Sequence, residues 1–150
     1  MGLADIKSFA GKTLFTSEPL EITVEQIQQY CTAIGQLDWF HFDEERARAS
    51  DFGGIVAPGT LAVALLHPTY FAHVELVNLR GLFRGIDSYR IRGPIIAGDR
   101  LTLTITVKDI DEREDGFAVG YEFDWRNADS GKTISTGAMS VRYWPDSADA

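Results

Sequence analysis

The stretch PGTLAVALLHP, residues 58–68, predicts a helix that is apolar on nearly every side. Six consecutive apolar residues run from Leu61 to Leu66, so no face of this helix suits water. Pro58 and Gly59 open the helix, and Pro68, which has no backbone N–H, ends or kinks it. Because each layer of a fold hides its apolar face against another, the rest of the chain must wrap this helix.

The C-terminal half of the chain predicts a sheet that can do so. From Ile86 onward apolar residues recur at every second position, and between Leu101 and Lys108 they alternate with polar residues, mostly threonine. Asp115-Gly116 predicts a hairpin, followed by strands at Phe117–Trp125 and Ile134–Trp144. Strands of about ten residues span roughly 35 Å. We therefore expect an α+β fold in which a long antiparallel sheet wraps around the apolar helix.

The N-terminal half predicts short helices. Thr23 begins a capping-box pattern, and an apolar face at helical spacing follows it until Gly35 ends the helix. Residues 36–42 are dense in aromatic side chains and are expected to be irregular. Asp43 is the predicted cap of a second short helix, Glu44–Ser50.

Composition narrows the class of protein. A chain of 150 residues with 45% apolar content and a net charge of −8 suits one domain spanning residues 1–150, and it argues against a nucleic-acid surface. The single cysteine, Cys31, cannot form an internal disulfide and is expected to be an inert core residue. No signal peptide is recognised at the N-terminus, and no apolar run is long enough to span a membrane. We therefore expect a cytoplasmic protein without a membrane partner.

Four segments, in order along the chain, resemble those of the MaoC-like dehydratases and (R)-specific enoyl-CoA hydratases. They are IGQLDWFHFD at residues 34–43, FGGIVAPG at 52–59, GIDSYRI at 85–91 and GPIIAGD at 93–99. In order, they resemble the family's active-site segment, the glycine-rich loop before its central helix, an arginine-bearing strand and a Gly-Asp turn. The resemblance covers nearly the whole chain and implies a single hotdog domain.

The chain departs from the family pattern at three positions. The family has a catalytic aspartate after the glycine, where this chain has Gln36, and an asparagine two residues later, where this chain has Asp38. The histidine that usually precedes the helix glycine is Pro58 here. His41 matches the family histidine. The resemblance thus retains the imidazole and leaves the identity of the second proton-transfer group open.

Hydration of an enoyl thioester needs a base for the water, a proton for the α-carbon and donors for the carbonyl oxygen. The resemblance implies His41 as an acid/base group and the Gly59 N–H as the oxyanion donor. Asp38 is our candidate for the second acid/base group, with a turn or capping role as the alternative. Gln36 can orient a water or a carbonyl but cannot take a proton. Asp38 lies two residues from Gln36, so in an extended segment its side chain would point the same way and could take over that place.

Five of the fourteen basic residues are arginines between positions 80 and 100. Arginine recognises phosphate through its planar fork of donors, so this segment favours a coenzyme A or phosphopantetheine carrier, with Arg84 and Arg90 as substrate contacts. Trp39, Phe40 and Gly54 join them as expected substrate-binding residues from the family resemblance. Three scattered histidines without cysteine partners give no metal-ligand spacing, so we expect neither a metal nor a cofactor.

Three functions stay open at this point. The first is a hydro-lyase that hydrates or dehydrates an acyl-CoA or acyl-carrier thioester. The second is a related enzyme of altered chemistry on a non-standard substrate, because Gln36 replaces the usual acid. The third is a non-catalytic hotdog subunit that binds an acyl thioester. The resemblance implies a homodimer in which two sheets join edge to edge, which would also cover an exposed strand edge.

Overall fold

The computed structural model describes residues 1–146. The helices are α1 Leu3–Ser8, α2 Val24–Ile34, α3 Trp39–Phe42, α4 Glu44–Ala49, α5 Leu61–Ala64 and α6 Leu66–His73. The strands are β1 Thr13–Thr16, β2 Leu20–Glu21, β3 Leu79–Ile91, β4 Arg100–Arg113, β5 Gly116–Asn127 and β6 Thr133–Pro145.

All strand pairs are antiparallel and belong to one six-stranded sheet in the order β1-β4-β5-β6-β3, with β2 also paired to β4. The predicted meander of β4, β5 and β6 is confirmed, as is the hairpin, whose turn ends at Gly116. On β4 the side chains of Leu101, Leu103, Ile105 and Val107 are fully buried and alternate with half-buried threonines. One face of the sheet therefore forms the core, and the other faces outward.

The apolar helix is present but divided. It consists of α5 and α6, which meet at Leu65. The break in the helix therefore lies at Leu65, about one turn before the kink expected at Pro68. Pro68 lies in the first turn of α6, where backbone N–H groups have no partner within the helix, so its missing N–H breaks no helical hydrogen bond. The indole of Trp125 donates to the Ala62 carbonyl at 3.0 Å and so ties α5 to the sheet.

A ring of three buried hydroxyls ties α6 to the same sheet. Tyr70 of α6 meets Tyr121 of β5 and Tyr143 of β6, and the three oxygen–oxygen distances are 2.5–2.7 Å. Burial raises the pKa of all three, so they remain protonated and each can donate once and accept once. Polar atoms at the centre of the core are satisfied in this way without water.

Two elements differ from the sequence-based expectation. Residues Trp39–Phe42 form a short helix rather than an irregular segment. Strand β3 begins at Leu79 rather than Ile86. The sequence did not predict residues 79–85 as strand because this edge strand is half solvated and carries Gly81 and Gly85, which weaken its apolar alternation. The helix predicted after Thr23 is confirmed: Thr23 accepts from the Gln26 N–H at 3.1 Å.

His67 makes the stability of the fold depend on pH. Its ring lies edge-on to Phe83 at 4.4 Å and to Phe71 at 5.7 Å, and its buried Nε2 has no hydrogen-bond partner among residues 1–146. Burial lowers the pKa of this histidine below its usual 6.5. Below pH 6.5 His67 binds a proton in the unfolded chain but not in the folded chain. The free energy of unfolding therefore decreases as the pH is lowered from 6.5 to the lowered pKa of the folded state.

We expect His67→Leu to lose less stability than the wild type between pH 8 and pH 5, measured by urea unfolding. His73→Leu is the control, because this histidine is exposed and bonds only the Thr69 carbonyl. Equal pH dependence in the wild type and His67→Leu would contradict the assignment.

Candidate active site

The His41 side chain is buried and held at both ring nitrogens. It is 1% exposed, and its Nδ1 lies 2.5 Å from the Val56 carbonyl oxygen. Its Nε2 lies 3.3 Å from the Nε2 of Gln36. A carbonyl only accepts, so Nδ1 must donate, and in the neutral ring the Nε2 lone pair then accepts from the Gln36 amide. The arrangement presents one basic nitrogen on the Gln36 side of the ring.

Local backbone geometry brings Gln36 to the imidazole. Gly35 adopts a left-handed conformation (φ 74°) that ends α2, and the Gln36 N–H then returns to the Cys31 carbonyl at 2.9 Å. The chain next turns into α3, which carries His41. Gly35 therefore has a structural role that a residue with a side chain would fill only under strain.

Asp38 lies at the N-terminal end of α3. Its side chain is exposed and makes no capping bond there. Among residues 1–146, Gln36 and not Asp38 contacts the His41 ring. A role for Asp38 in proton transfer stays a prediction.

The Cys31 thiol is buried, and this burial raises its pKa. The charge of Asp38 raises that pKa further, as expected for an inert cysteine.

Val56 belongs to a segment that connects His41 with Gly59. Its N–H donates to the Phe40 carbonyl at 3.0 Å, while its carbonyl accepts from His41. Residues 55–57 pair in turn with residues 95–97, through Ala57 N–H to Ile95 and Ala97 N–H to Ile55. The imidazole is thus held by a backbone segment, residues 55–57, that is itself hydrogen-bonded to Phe40 on one side and to residues 95–97 on the other.

Two tyrosine hydroxyls hold the Gly59–Thr60 junction ahead of α5. Tyr89 of β3 donates to the Gly59 carbonyl at 2.5 Å, and Tyr30 of α2 donates to the Thr60 hydroxyl at 2.9 Å. A Cβ added at Gly59 would lie 2.4 Å from the Cδ1 of Ile91, so the end of this exposed side chain would have to rotate away to make room. In the described part of the chain no acceptor is paired with the Gly59 N–H.

A cavity of about 370 Å³ lies beside Gly59, between the start of α5 and one end of β3 and β6. Most of its lining is apolar, including Val56, Ala62, Ile95 and Ile134. Its polar side chains are those of Tyr89, Arg92 and Ser135. The cavity is within the size range of small-molecule sites.

The structure does not bring the predicted Arg84 and Arg90 to this cavity, and Arg92 lines it instead. Arg90 lies between Tyr89 and Ile91, which both line the cavity, so strand alternation directs Arg90 to the other face. Arg84 is seven residues from Ile91, roughly 20 Å along the strand. It lies in a groove near Arg142 and Asp115.

The other three predicted substrate contacts, Trp39, Phe40 and Gly54, pack against neighbouring side chains of the protein. Trp39 lies under the Arg46 guanidinium at 4.0 Å, and Phe40 packs edge-on against His41 at 4.4 Å between the ring centroids. Gly54 approaches Ile96 so closely that a Cβ would lie 2.9 Å from it. None of the three lines the cavity beside Gly59.

Sequence reasoning missed the four residues Tyr89, Arg92, Ser135 and Val56. Tyr89 and Ile91 share one face of β3, so strand parity was a usable signal for Tyr89. Nothing in the sequence pattern marked the carbonyl of Val56. In the described chain no group of three or more His, Cys, Asp or Glu side chains is placed to hold a metal ion, and no helix is long and apolar enough to cross a membrane.

Comparison with known proteins agrees with this fold. The 3-hydroxyacyl-thioester dehydratase Z of Mycobacterium tuberculosis is 30% identical over 118 residues, which are 76% of this chain and 76% of that protein. The MaoC-like dehydratase from Rhodospirillum rubrum is 24% identical with a TM-score of 0.73, covering 90% of this chain and 92% of that chain. The HadBC complex of M. tuberculosis, a 3R-hydroxyacyl-ACP dehydratase, is 22% identical with a TM-score of 0.71, covering 90% and 96%.

The expected hotdog architecture is confirmed by these solved structures. The model of the FAS1-like dehydratase domain region matches residues 8–131, which include His41, Gly59 and most of the cavity lining. The chain therefore belongs to the FAS1-like dehydratase domain region family.

Proposed function

We propose that this protein is a hydro-lyase that interconverts a 3-hydroxyacyl thioester and the corresponding 2-enoyl thioester. The observation that carries the proposal is the buried His41 imidazole, whose Nδ1 is tied to the Val56 carbonyl while its Nε2 faces Gln36. Family membership and the dehydratase activity named for the 30% identical relative support the same reaction.

In the hydration direction, His41 Nε2 takes a proton from water as the oxygen attacks the β-carbon. A proton is then delivered to the α-carbon, and negative charge that collects on the thioester oxygen is stabilised by the Gly59 N–H. Dehydration runs through the same steps in reverse. General acid/base catalysis of this kind contributes roughly 100- to 10,000-fold, and one oxyanion donor about 100- to 1,000-fold.

Gln36 has an orienting role in this scheme. Its amide donates to His41 Nε2 in the absence of substrate, so water must displace it, after which the amide can hold that water. An amide cannot supply the second proton. We assign that proton to the carboxyl group of Asp38, which lies exposed at the start of α3, two residues after Gln36, and must enter this step in its protonated form. The proton that His41 took from water then returns to Asp38 through solvent, which restores both groups.

One alternative is favoured by a specific observation. The contact of an amide, not a carboxylate, with the imidazole suits a reaction that needs one proton acceptor and an oxyanion donor, such as isomerisation of an acyl thioester. A third function, binding of an acyl thioester without turnover, is distinguished from the hydro-lyase and the isomerase by measuring enzyme activity.

The tautomer of His41 can be measured directly. We expect the neutral ring to carry its proton on Nδ1, seen by ¹⁵N NMR of the imidazole at pH 8, because the Val56 carbonyl requires a donor. Gln36→Leu should leave this tautomer unchanged, because it keeps the contact between Nδ1 and the Val56 carbonyl. A proton on Nε2 of His41 would contradict the proposed base.

Activity tests the reaction itself. Purified protein is mixed with crotonyl-CoA and longer enoyl-CoA thioesters, and loss of the conjugated double-bond absorbance is followed. We expect His41→Ala to lower kcat by about 100-fold or more, with a comparable loss in Asp38→Asn if it supplies the second proton. His73→Ala is the matched control.

The outcomes separate the candidate functions. Full activity in Asp38→Asn removes this carboxylate from the mechanism while leaving His41 in place. Double-bond migration without net water addition favours the isomerase. Tight binding of the thioester with no turnover in the wild type favours the binding subunit and ends the hydro-lyase proposal.

We propose a homodimer joined along β3. This 13-residue strand lies at the edge of the sheet, and Leu82 on it is 62% exposed. A long unpaired edge of this kind is a template for another strand. HadBC, which shares the fold, is a complex of two different chains, so a second kind of chain is the competing partner. The thioester carrier, coenzyme A or a carrier protein, and the cytoplasmic location stay predictions.

Sedimentation equilibrium of the purified chain should give the mass of a dimer. Leu82→Asp should weaken the dimer about 10-fold or more, because a two-fold axis places like charges near each other. Val77→Asp is the control, since Val77 is exposed outside the strand. A wild-type monomer, or equal effects of the two variants, would contradict pairing through β3.

A further inference from the structure

Tyr89 and Tyr30 both bond the junction ahead of α5, but they hold different parts of it. The Tyr89 hydroxyl donates to a backbone oxygen, the Gly59 carbonyl, at 2.5 Å. The Tyr30 hydroxyl donates to the side chain of Thr60 at 2.9 Å. A bond to a carbonyl holds a whole peptide group, whereas a threonine hydroxyl can rotate about χ1 without moving the main chain. Of these two tyrosines, Tyr89 is therefore the one that controls the backbone.

The direction of the Gly59 N–H depends on two consecutive peptide groups. The first contains this N–H and the Pro58 carbonyl, which accepts from the Leu61 N–H at 2.9 Å. The second contains the Gly59 carbonyl, which Tyr89 holds. The bond from Leu61 closes a turn across Gly59 and Thr60, so it persists only while the second peptide group keeps its orientation. Because glycine restricts this rotation less than any other residue, the bond from Tyr89 supplies the restraint that Gly59 lacks.

An irregularity in β3 directs Tyr89 toward this junction. Ile86 and Tyr89 both pack against the core, although they are three residues apart. In a regular strand, residues three apart point to opposite faces. The register between β3 and β6 shifts between Ile86 and Ser88, which makes Asp87 an extra residue. The shift returns Tyr89 to the inner face, where its ring lies 6.2 Å from that of Phe123, and bulges often redirect side chains in this way beside active sites.

The Tyr89 hydroxyl keeps its proton. Burial raises the pKa of Tyr89, and a hydrogen bond with Ser135 opposes this rise only in part. A neutral phenol has a single proton to donate, and the Gly59 carbonyl can only accept. The bond from Tyr89 to Gly59 is therefore maintained at neutral pH.

We propose that Tyr89 is a positioning residue, whose hydroxyl fixes the Gly59–Thr60 peptide group and thereby aims the Gly59 N–H at the thioester oxygen. This inference rests on the proposed function. Tyr89 acts through Gly59 and needs no contact with the reacting atoms. The direction of the donor matters most when negative charge has collected on the oxygen, so its loss affects the transition state more than the bound substrate.

Tyr89→Phe tests this role, because it removes one oxygen atom and keeps the ring beside Phe123. For hydration of crotonyl-CoA we expect kcat to fall about 10-fold, less than the loss of a donor outright. KM should stay within about two-fold of the wild-type value, the pattern of an interaction made in the transition state. Tyr30→Phe is the matched control, since it removes a hydroxyl from the same junction that bonds only a side chain.

A spectroscopic measurement distinguishes positioning from a general loss of structure. Butyryl-CoA has neither the double bond nor the hydroxyl that the reaction needs, so its thioester carbonyl can be observed in the bound state. With ¹³C at the carbonyl carbon, infrared difference spectra report the hydrogen bond that this oxygen accepts, which lowers the stretching frequency. The wild type and Tyr30→Phe should lower the frequency equally relative to free butyryl-CoA, and Tyr89→Phe should lower it less.

The outcomes separate this inference from the proposed function. Equal kcat in Tyr89→Phe and Tyr30→Phe, a change in KM alone, or equal carbonyl frequencies in all three proteins overturns the positioning role. Hydration by the wild type together with any of these results leaves the proposed reaction standing. A carbonyl shift that is reduced in Tyr89→Phe, in a wild-type protein that does not hydrate crotonyl-CoA or longer enoyl thioesters, overturns the proposed reaction and supports the positioning role.

Discussion

The carbonyl of Val56 is the constraint on which the candidate site depends. It compels His41 to donate from Nδ1, which leaves Nε2 as the only nitrogen able to accept a proton. The same short segment leads to Gly59 three residues later, and residues 95–97 hold it in place. The relative position of the proposed base and the proposed oxyanion donor is therefore determined by paired backbone rather than by flexible side chains, as catalysis requires.

The sheet and the divided helix supply the support for this segment. Trp125 fixes α5 through the Ala62 carbonyl, and the three tyrosine hydroxyls fix α6 independently. Each half of the helix thus has its own tie to the sheet. The start of α5, which borders the cavity, does not rely on a continuous helix for its position.

How far the sequence predicted this molecule depends on the range of each signal. Thr23 and Gly35 mark α2 because capping is local, and β4 to β6 follow from strict alternation. The division at Leu65 has no local signal, since Leu65 lies within a run of six apolar residues and the hydrogen bonds that hold the two halves come from distant strands. Asp38 was expected beside His41 from extended geometry. Gln36 takes that place because Gly35 turns the chain and α3 follows directly.

The arginines show a similar limit. Composition indicated a basic segment correctly, but only strand parity and the end of β3 decide that Arg92 reaches the cavity while Arg90 does not.

The contact between Gly59 and Ile91 has an evolutionary consequence. Only the Cδ1 of Ile91, the end of a side chain that is 56% exposed, occupies the space that a Cβ at position 59 would need. A descendant of this chain can therefore accept alanine at position 59 once Ile91 rotates, or once it is replaced by valine, which lacks that methyl group. The change at position 91 is harmless by itself and makes the change at position 59 easier, so it should tend to come first.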